Sequence, residues 1–311
     1  MQIFTTMITP FTKEGAVDYG TAKKYVDFYY ESGIDGIFAV CQSSEIFFLT
    51  LEERVKLNSL VYKRAKELEA RDGRKLTVVS SGHVSDTIEG QIEELRAIWE
   101  SGTDALILIT NRLDINNEGD DVFIENCKRI IEALPSDVKL GLYECPYPYK
   151  RLVSKRILKF CRDSGRFYYM KDTSCDAEVI KERIDILRGS HFKLLNANCQ
   201  TLLESMRLGA DGYCGIMANY HPALYAWLGA NYKSDKNADI IGSFLGTFGF
   251  TEAGLPYPSS AKYHMALCGM PSEDIARNRP ERTLSDYEKS CIENMKLATD
   301  YLERSLKGGS L

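Results

Sequence analysis

Histidine is scarce in this chain of 311 residues. Four occur, at His83, His191, His221 and His264, and none is spaced with another or with a cysteine as ligands on one helix face would be. That disfavours a zinc-dependent mechanism, and neither a metal nor a cofactor is expected. The nine cysteines contain no C-x-x-C pair and are odd in number, which argues against a disulfide framework and predicts reduced, mostly buried thiols. Excess positive charge is also lacking. Lys and Arg number 39 against 44 Asp and Glu, a formal net charge of -5, so no cationic field is offered to nucleic acid. No apolar run is long enough to cross a bilayer. The opening MQIFTTMITPF carries no basic region ahead of a sustained apolar stretch, so it reads as a strand and not as a signal peptide. A cytoplasmic protein without nucleic-acid or membrane partners is expected.

What the chain does have is a phrase used three times: SGIDGIFAV from Ser32, SGTDALILI from Ser101 and LGADGYCGI from Leu208. Each glycine follows an amphipathic helical stretch, and each aspartate leads into an apolar, β-prone run, as when a helix C-cap feeds a buried parallel strand. Start signals precede two helices, TLEE at Thr50 and DTIE at Asp86, both of capping-box form. Eight strand-like segments result: Phe4 to Ile8, Gly36 to Val40, Leu76 to Ser81, Ala105 to Ile109, Lys139 to Tyr143, Phe167 to Met170, Lys193 to Leu195 and Gly212 to Cys214. Eight short apolar strands alternating with helical patterns predict a (β/α)8 TIM barrel over residues 1–220. Residues 221–311 read as extra C-terminal helices packed on it. A doubly wound sheet is the alternative, but no G-x-G-x-x-G follows a strand.

In such barrels chemistry sits at the C-terminal ends of the strands. The stretch FYYMKDTS then demands an explanation, because an ammonium closing an apolar aromatic run loses hydration unless something compensates. One explanation is an ion pair between Lys171 and a carboxylate from a neighbouring strand. The other is that Lys171 is a nucleophilic amine, and its surroundings favour this. Tyr143 ends the preceding strand, and Ser43 and Ser44 in CQSSE follow the second. An amine, a phenol and a hydroxyl loop suit imine formation with an α-keto acid. The phenol shuttles protons, and backbone N–H groups with serine hydroxyls bind the carboxylate.

At these residues the chain resembles the class I pyruvate-dependent aldolases, the family of dihydrodipicolinate synthase and N-acetylneuraminate lyase. TTMITPF with VD after it resembles the family's TPF…VD, CQSSE with LTLEER its G-T/S-T-G-E…L…ER, YECP its Y-N-x-P, and YMKDTS its GIKD-S/T. GYCGIMANYHP resembles the G-x-x-G…N…P of the eighth strand. The resemblance implies Lys171 as the Schiff-base lysine, Tyr143 as the proton shuttle, Ser43 and Ser44 at the carboxylate loop and Ile216 at an active-site backbone position. It also implies a homotetramer built from dimers.

Departures fall around that core. Gln42 stands at the first hydroxyl of the loop, and Leu113 stands where a neighbouring subunit's tyrosine would complete the relay. Pro148 occupies the place of an arginine, with Lys150 and Arg151 nearby, while Glu144 replaces the usual Asn and Asn198 lies where sialate lyases carry acidic residues. Gln42, Glu144 and Asn198 are therefore expected to line a pocket for a hydroxylated, sugar-derived aldehyde. The expected activity is a lyase or aldolase joining or cleaving pyruvate and that aldehyde. The alternatives are 4-hydroxy-tetrahydrodipicolinate synthase, a Schiff-base dehydratase, or a non-catalytic keto-acid-binding barrel. His83, Cys145 and Cys199 read as packing or lining residues.

Overall fold

A computed structural model describes residues 1–308. Its strands are β1 (Gln2–Thr6), β2 (Gly36–Phe38), β3 (Thr77–Ser80), β4 (Ala105–Ile109), β5 (Leu140–Tyr143), β6 (Phe167–Asp172), β7 (Lys193–Asn196) and β8 (Gly212–Gly215). Between them run α1 (Tyr19–Glu31), α2 (Leu51–Asp72), α3 (Ile88–Glu100), α4 (Asp120–Ala133), α5 (Lys155–Asp163), α6 (Ala177–Leu187) and α7 (Leu202–Leu208). After β8 come α8 (Pro222–Asn231), α9 (Ala238–Ala253), α10 (Ser259–Leu267) and α11 (Asp286–Gly308). All eight strands are parallel and close into a barrel, β8 pairing with β1. The expected barrel with additional C-terminal helices is thus the observed architecture. Helix α8 packs on β1, α9 on α7 and α8, and α11 on α8 and α10.

Local differences have local causes. β1 ends at Thr6 because Met7 and Ile8 satisfy their apolar character by burial in the loop above the strand. β6 runs on through Lys171 to Asp172, which pairs with Asn196 of β7. Thr50 caps α2 and forms the expected box with Glu53. Helix α3 instead starts one residue later than DTIE implies: Thr87 accepts from the Gly90 N–H, while Asp86 pairs with Arg112.

The threefold phrase has a structural meaning. Before β2, β4 and β8, the aspartate grips the strand that precedes its own around the barrel. Asp35 accepts the Ile3 N–H at 2.8 Å, Asp104 that of Val78 at 2.8 Å and Asp211 that of Leu194 at 2.9 Å. The N–H of each aspartate donates back to the carbonyl of the same partner. One carboxylate and one amide therefore fix the register of each parallel pair at the N-terminal face, and buried pairing leaves little room for slippage. Before β6 the corresponding stretch is SGRF, with Arg166 in the aspartate's place, and the β5–β6 register shifts between Leu140 and Gly141. Among the described residues no helix is long and apolar enough to cross a membrane.

Candidate active site

Tyr143 and Lys171 are direct partners in the β5–β6 register. Opposed residues of neighbouring parallel strands project to the same face, so both side chains enter the barrel's C-terminal mouth. The Lys171 Nζ stands 4.2 Å from the Tyr143 ring centroid and 5.9 Å from that of Phe38. The two residues are 6% and 3% exposed. Among the described residues no carboxylate forms an ion pair with Lys171. The flanking acids, Asp172 and Glu144, lie on the opposite face, where Arg183 of α6 bridges them. Arg183 Nη2 donates to Glu144 Oε1 at 2.6 Å, and Nη1 donates to Asp172 Oδ2. Glu144 also accepts from the N–H groups of Val153 at 2.7 Å and Thr173 at 2.9 Å. Its position behind the sheet is the period-two alternation of a strand: the residue after Tyr143 must face away from it.

Gln42, Ser43 and Ser44 form one 3-10 turn after β2. Gln42 Oε1 accepts from the Tyr143 hydroxyl at 3.2 Å and from the Cys145 thiol at 3.3 Å. Burial holds the Tyr143 phenol far above its usual pKa, with the Cys145 and Cys41 thiols adding to the rise. Cys145 is pushed up to about 11 by burial, and so is Cys199, which leaves both protonated at neutral pH. Ser43 Oγ donates to Thr6 Oγ1 at 3.0 Å. Ser44 Oγ lies 2.6 Å from the Met7 carbonyl and 2.7 Å from that of Ala39, tying the turn to the ends of β1 and β2.

A cavity of about 570 Å³ opens here. Of the residues singled out from sequence, Lys171, Tyr143, Gln42, Ser43, Asn198 and Ile216 line it, and Ser44 and Glu144 do not. Lys150 reaches its rim, whereas Arg151 is held by Asp114 at 3.0 Å and Asp120 at 2.9 Å. Leu113 is fully buried in the core. His83 is buried with Nδ1 3.1 Å from Gln91 Oε1 and Nε2 accepting the Ile109 N–H at 2.8 Å, an arrangement that fixes a neutral ring.

Sequence reasoning missed the contribution of the C-terminal segment. Tyr257, Asn278 and Arg279 line the cavity, and the Asn278 Oδ1 is buried without a partner among the described residues. Behind them Lys262 of α10 pairs with Glu45 at 2.6 Å, both essentially out of solvent. Glu45 has a left-handed backbone (φ 60°), and its second oxygen accepts the Asn278 N–H at 3.0 Å. No local spacing could have joined positions 45 and 262. The available signal was a carboxylate in a buried turn, which requires a partner somewhere. Among the described residues no group of three His, Cys, Asp or Glu side chains converges as metal ligands.

Residues 1–73 match the model of the dihydrodipicolinate synthetase family. A 4-hydroxy-tetrahydrodipicolinate synthase of Chlorobium phaeobacteroides is 24% identical over 292 residues, covering 92% of this chain and 93% of its own. Among solved structures, a dihydrodipicolinate synthase of Cyanidioschyzon merolae superposes with a TM-score of 0.84 at 20% identity, covering 96% of this chain and 98% of the other. A prophage protein of E. coli K12 from the dihydrodipicolinic acid synthase family, solved with pyruvate, gives 0.84 at 19% identity with the same coverage. The two structures share the fold, and the family model and curated relative extend the likeness to sequence. The chain is therefore similar to the dihydrodipicolinate synthetase family, through the family model over residues 1–73 and through the curated relative over most of its length.

Proposed function

We propose that this protein is a class I lyase or aldolase that joins pyruvate to, or releases it from, a hydroxylated, sugar-derived aldehyde through an imine on Lys171. The observation that carries the reading is the buried Lys171 amine over the Tyr143 ring, with no carboxylate paired to it among the described residues. The neutral amine adds to the keto carbon, and loss of water from the carbinolamine gives the iminium. In the synthetic direction a C3 proton leaves to form an enamine, which attacks the aldehyde carbonyl while the new alkoxide takes up a proton. Water then releases the product and restores the amine. In this reading Tyr143 carries these protons, supported by its position beside the Lys171 amine. Its hydrogen bond ends on the Gln42 carbonyl oxygen, and an amide passes no proton onward, so Tyr143 exchanges protons with the substrate directly. Residues 1–220 form the reaction barrel in this reading, with 221–311 as a helical extension. A homotetramer of paired dimers goes with it, and no cofactor is invoked.

Gln42, Asn198 and the unpartnered Asn278 Oδ1 offer donors and acceptors that suit a polyol. Condensation with aspartate semialdehyde is the second reading, favoured by Lys150 and Arg279 at the cavity's rim. Borohydride with pyruvate is expected to add irreversibly to Lys171, read by peptide mass spectrometry. An adduct elsewhere, or none with any α-keto acid, overturns the mechanism. Side-by-side kinetics decide the aldehyde. Cleavage of 2-keto-3-deoxy sugar acids supports the first reading. Semialdehyde condensation with kcat/KM of roughly 10⁴ M⁻¹s⁻¹ or more, and no sugar-acid cleavage, supports the second.

A further inference from the structure

We infer that Tyr257, from the segment joining α9 to α10, donates its phenol hydrogen to the carboxylate of the keto acid held on Lys171. The inference rests on the imine reading above and concerns a residue outside the strands and their motifs. A carboxylate brought into this cavity requires donors. The hydroxyls of the CQSSE turn are already committed: Ser43 donates to Thr6, and Ser44 faces the Met7 and Ala39 carbonyls. Neither has a second hydrogen to give.

Tyr257 is differently placed. Its ring lines the cavity together with Ser43 and Lys171. Its oxygen receives the Asn219 Nδ2–H at 3.2 Å. That amide nitrogen has no lone pair, so the phenol's own hydrogen must point elsewhere. The orientation of Asn219 is fixed from both ends: Oδ1 accepts from Tyr29 at 2.6 Å, and Nδ2 faces the Thr6 and Ile216 carbonyls at 2.9 Å each. The Ser43 and Thr6 hydroxyls lie beside the phenol, and among the described residues no carbonyl or carboxylate takes its hydrogen. Burial raises its pKa, and the nearby Ser43 and Thr6 hydroxyls draw it back, which keeps the phenol a protonated donor at neutral pH. The C-terminal segment thus supplies a hydroxyl hydrogen where those of Ser43 and Ser44 are already committed.

The test is borohydride trapping at graded pyruvate concentrations on wild type, Tyr257→Phe and Tyr257→His. A hydrogen bond to a charged group is worth enough that the half-saturating pyruvate concentration should rise roughly 10- to 100-fold in Tyr257→Phe. Trapping at saturation should be retained. Methyl pyruvate, which lacks the charge, should shift far less, and Tyr257→His should recover part of the preference for pyruvate over its ester. Three outcomes overturn the inference alone while Lys171 still forms its adduct: an unchanged half-saturation, an equal shift for acid and ester, or Tyr257→His no better than Tyr257→Phe. Absence of a Lys171 adduct in wild type instead overturns the imine reading and this inference with it.

Discussion

Replacing Lys262 by Met should destabilise the protein by about 3–5 kcal/mol, because it strands the Glu45 carboxylate in the interior without its counter-charge. The structure sets that scale. Lys262 Nζ donates to Glu45 Oε1 and to the Ile275 carbonyl, each at 2.6 Å, and lies 4.3 Å from the Phe11 ring centroid. Burial lowers its pKa to about 8, with Glu45 opposing the fall, so the amine remains mostly charged at pH 7. Glu45 cannot easily turn outward, because its left-handed backbone is held by the turn and the Asn278 N–H grips its other oxygen. Changing both residues, Glu45→Leu with Lys262→Met, removes the unpaired charge and should recover a large part of the loss. Urea unfolding followed by circular dichroism reads both variants, with the slope checked for constancy so that the midpoints compare. A Lys262→Met protein within 1 kcal/mol of wild type, or a double variant as unstable as the single, would refute the argument from uncompensated charge.

Tyr143→Phe should lower turnover by roughly 10² to 10⁴ while leaving pyruvate trapping on Lys171 detectable, measured by steady-state kinetics beside borohydride labelling; near wild-type turnover would assign the proton transfers to another group. His83, held near pKa 4 by burial against an ordinary 6.5, binds fewer protons folded than unfolded between those values. Stability should therefore fall as pH drops from about 6.5 towards 4, by about 3 kcal/mol from this group. His83→Gln should flatten that part of the pH profile of the urea midpoint, and an unaltered slope would remove His83 from the account.

The barrel was legible because its evidence is local and repeated. Apolar runs of strand length alternate with helical patterns, and glycine and aspartate mark where three helices hand over to strands. The meeting of Lys171 and Tyr143 in one cavity was legible for a related reason: both close strands whose C-terminal ends open on the same face of the barrel, although FYYMK taken alone also suits a buried ion pair. Glu144 was misplaced although the means to place it were present, since strand alternation puts it opposite Tyr143 and towards Arg183. Ser43 and Ser44 could not be separated, because in a 3-10 turn adjacent side chains diverge and only the fold shows which one meets the cavity. Tyr257, Asn278 and the Glu45–Lys262 pair were beyond reach, because each acts across more than two hundred positions of chain or against a wall built by distant segments.

The missing aspartate before β6 acquires weight beside Tyr143 and Lys171. Three strand pairs are fixed from below by an Asp carboxylate, whereas β5 and β6 shift register and are clamped from above by Arg183, between Glu144 and Asp172. Those acids sit next in sequence to Tyr143 and Lys171, so the spacing of phenol and amine is governed by an ionic joint on the far side of the same two strands. Helix α6 therefore works as a setscrew: a change in how it presents Arg183 reaches the Tyr143 phenol and the Lys171 amine through the backbone of their own strands. Substitutions in the outer ring of helices can thus move the two side chains relative to each other while the residues lining the pocket stay the same.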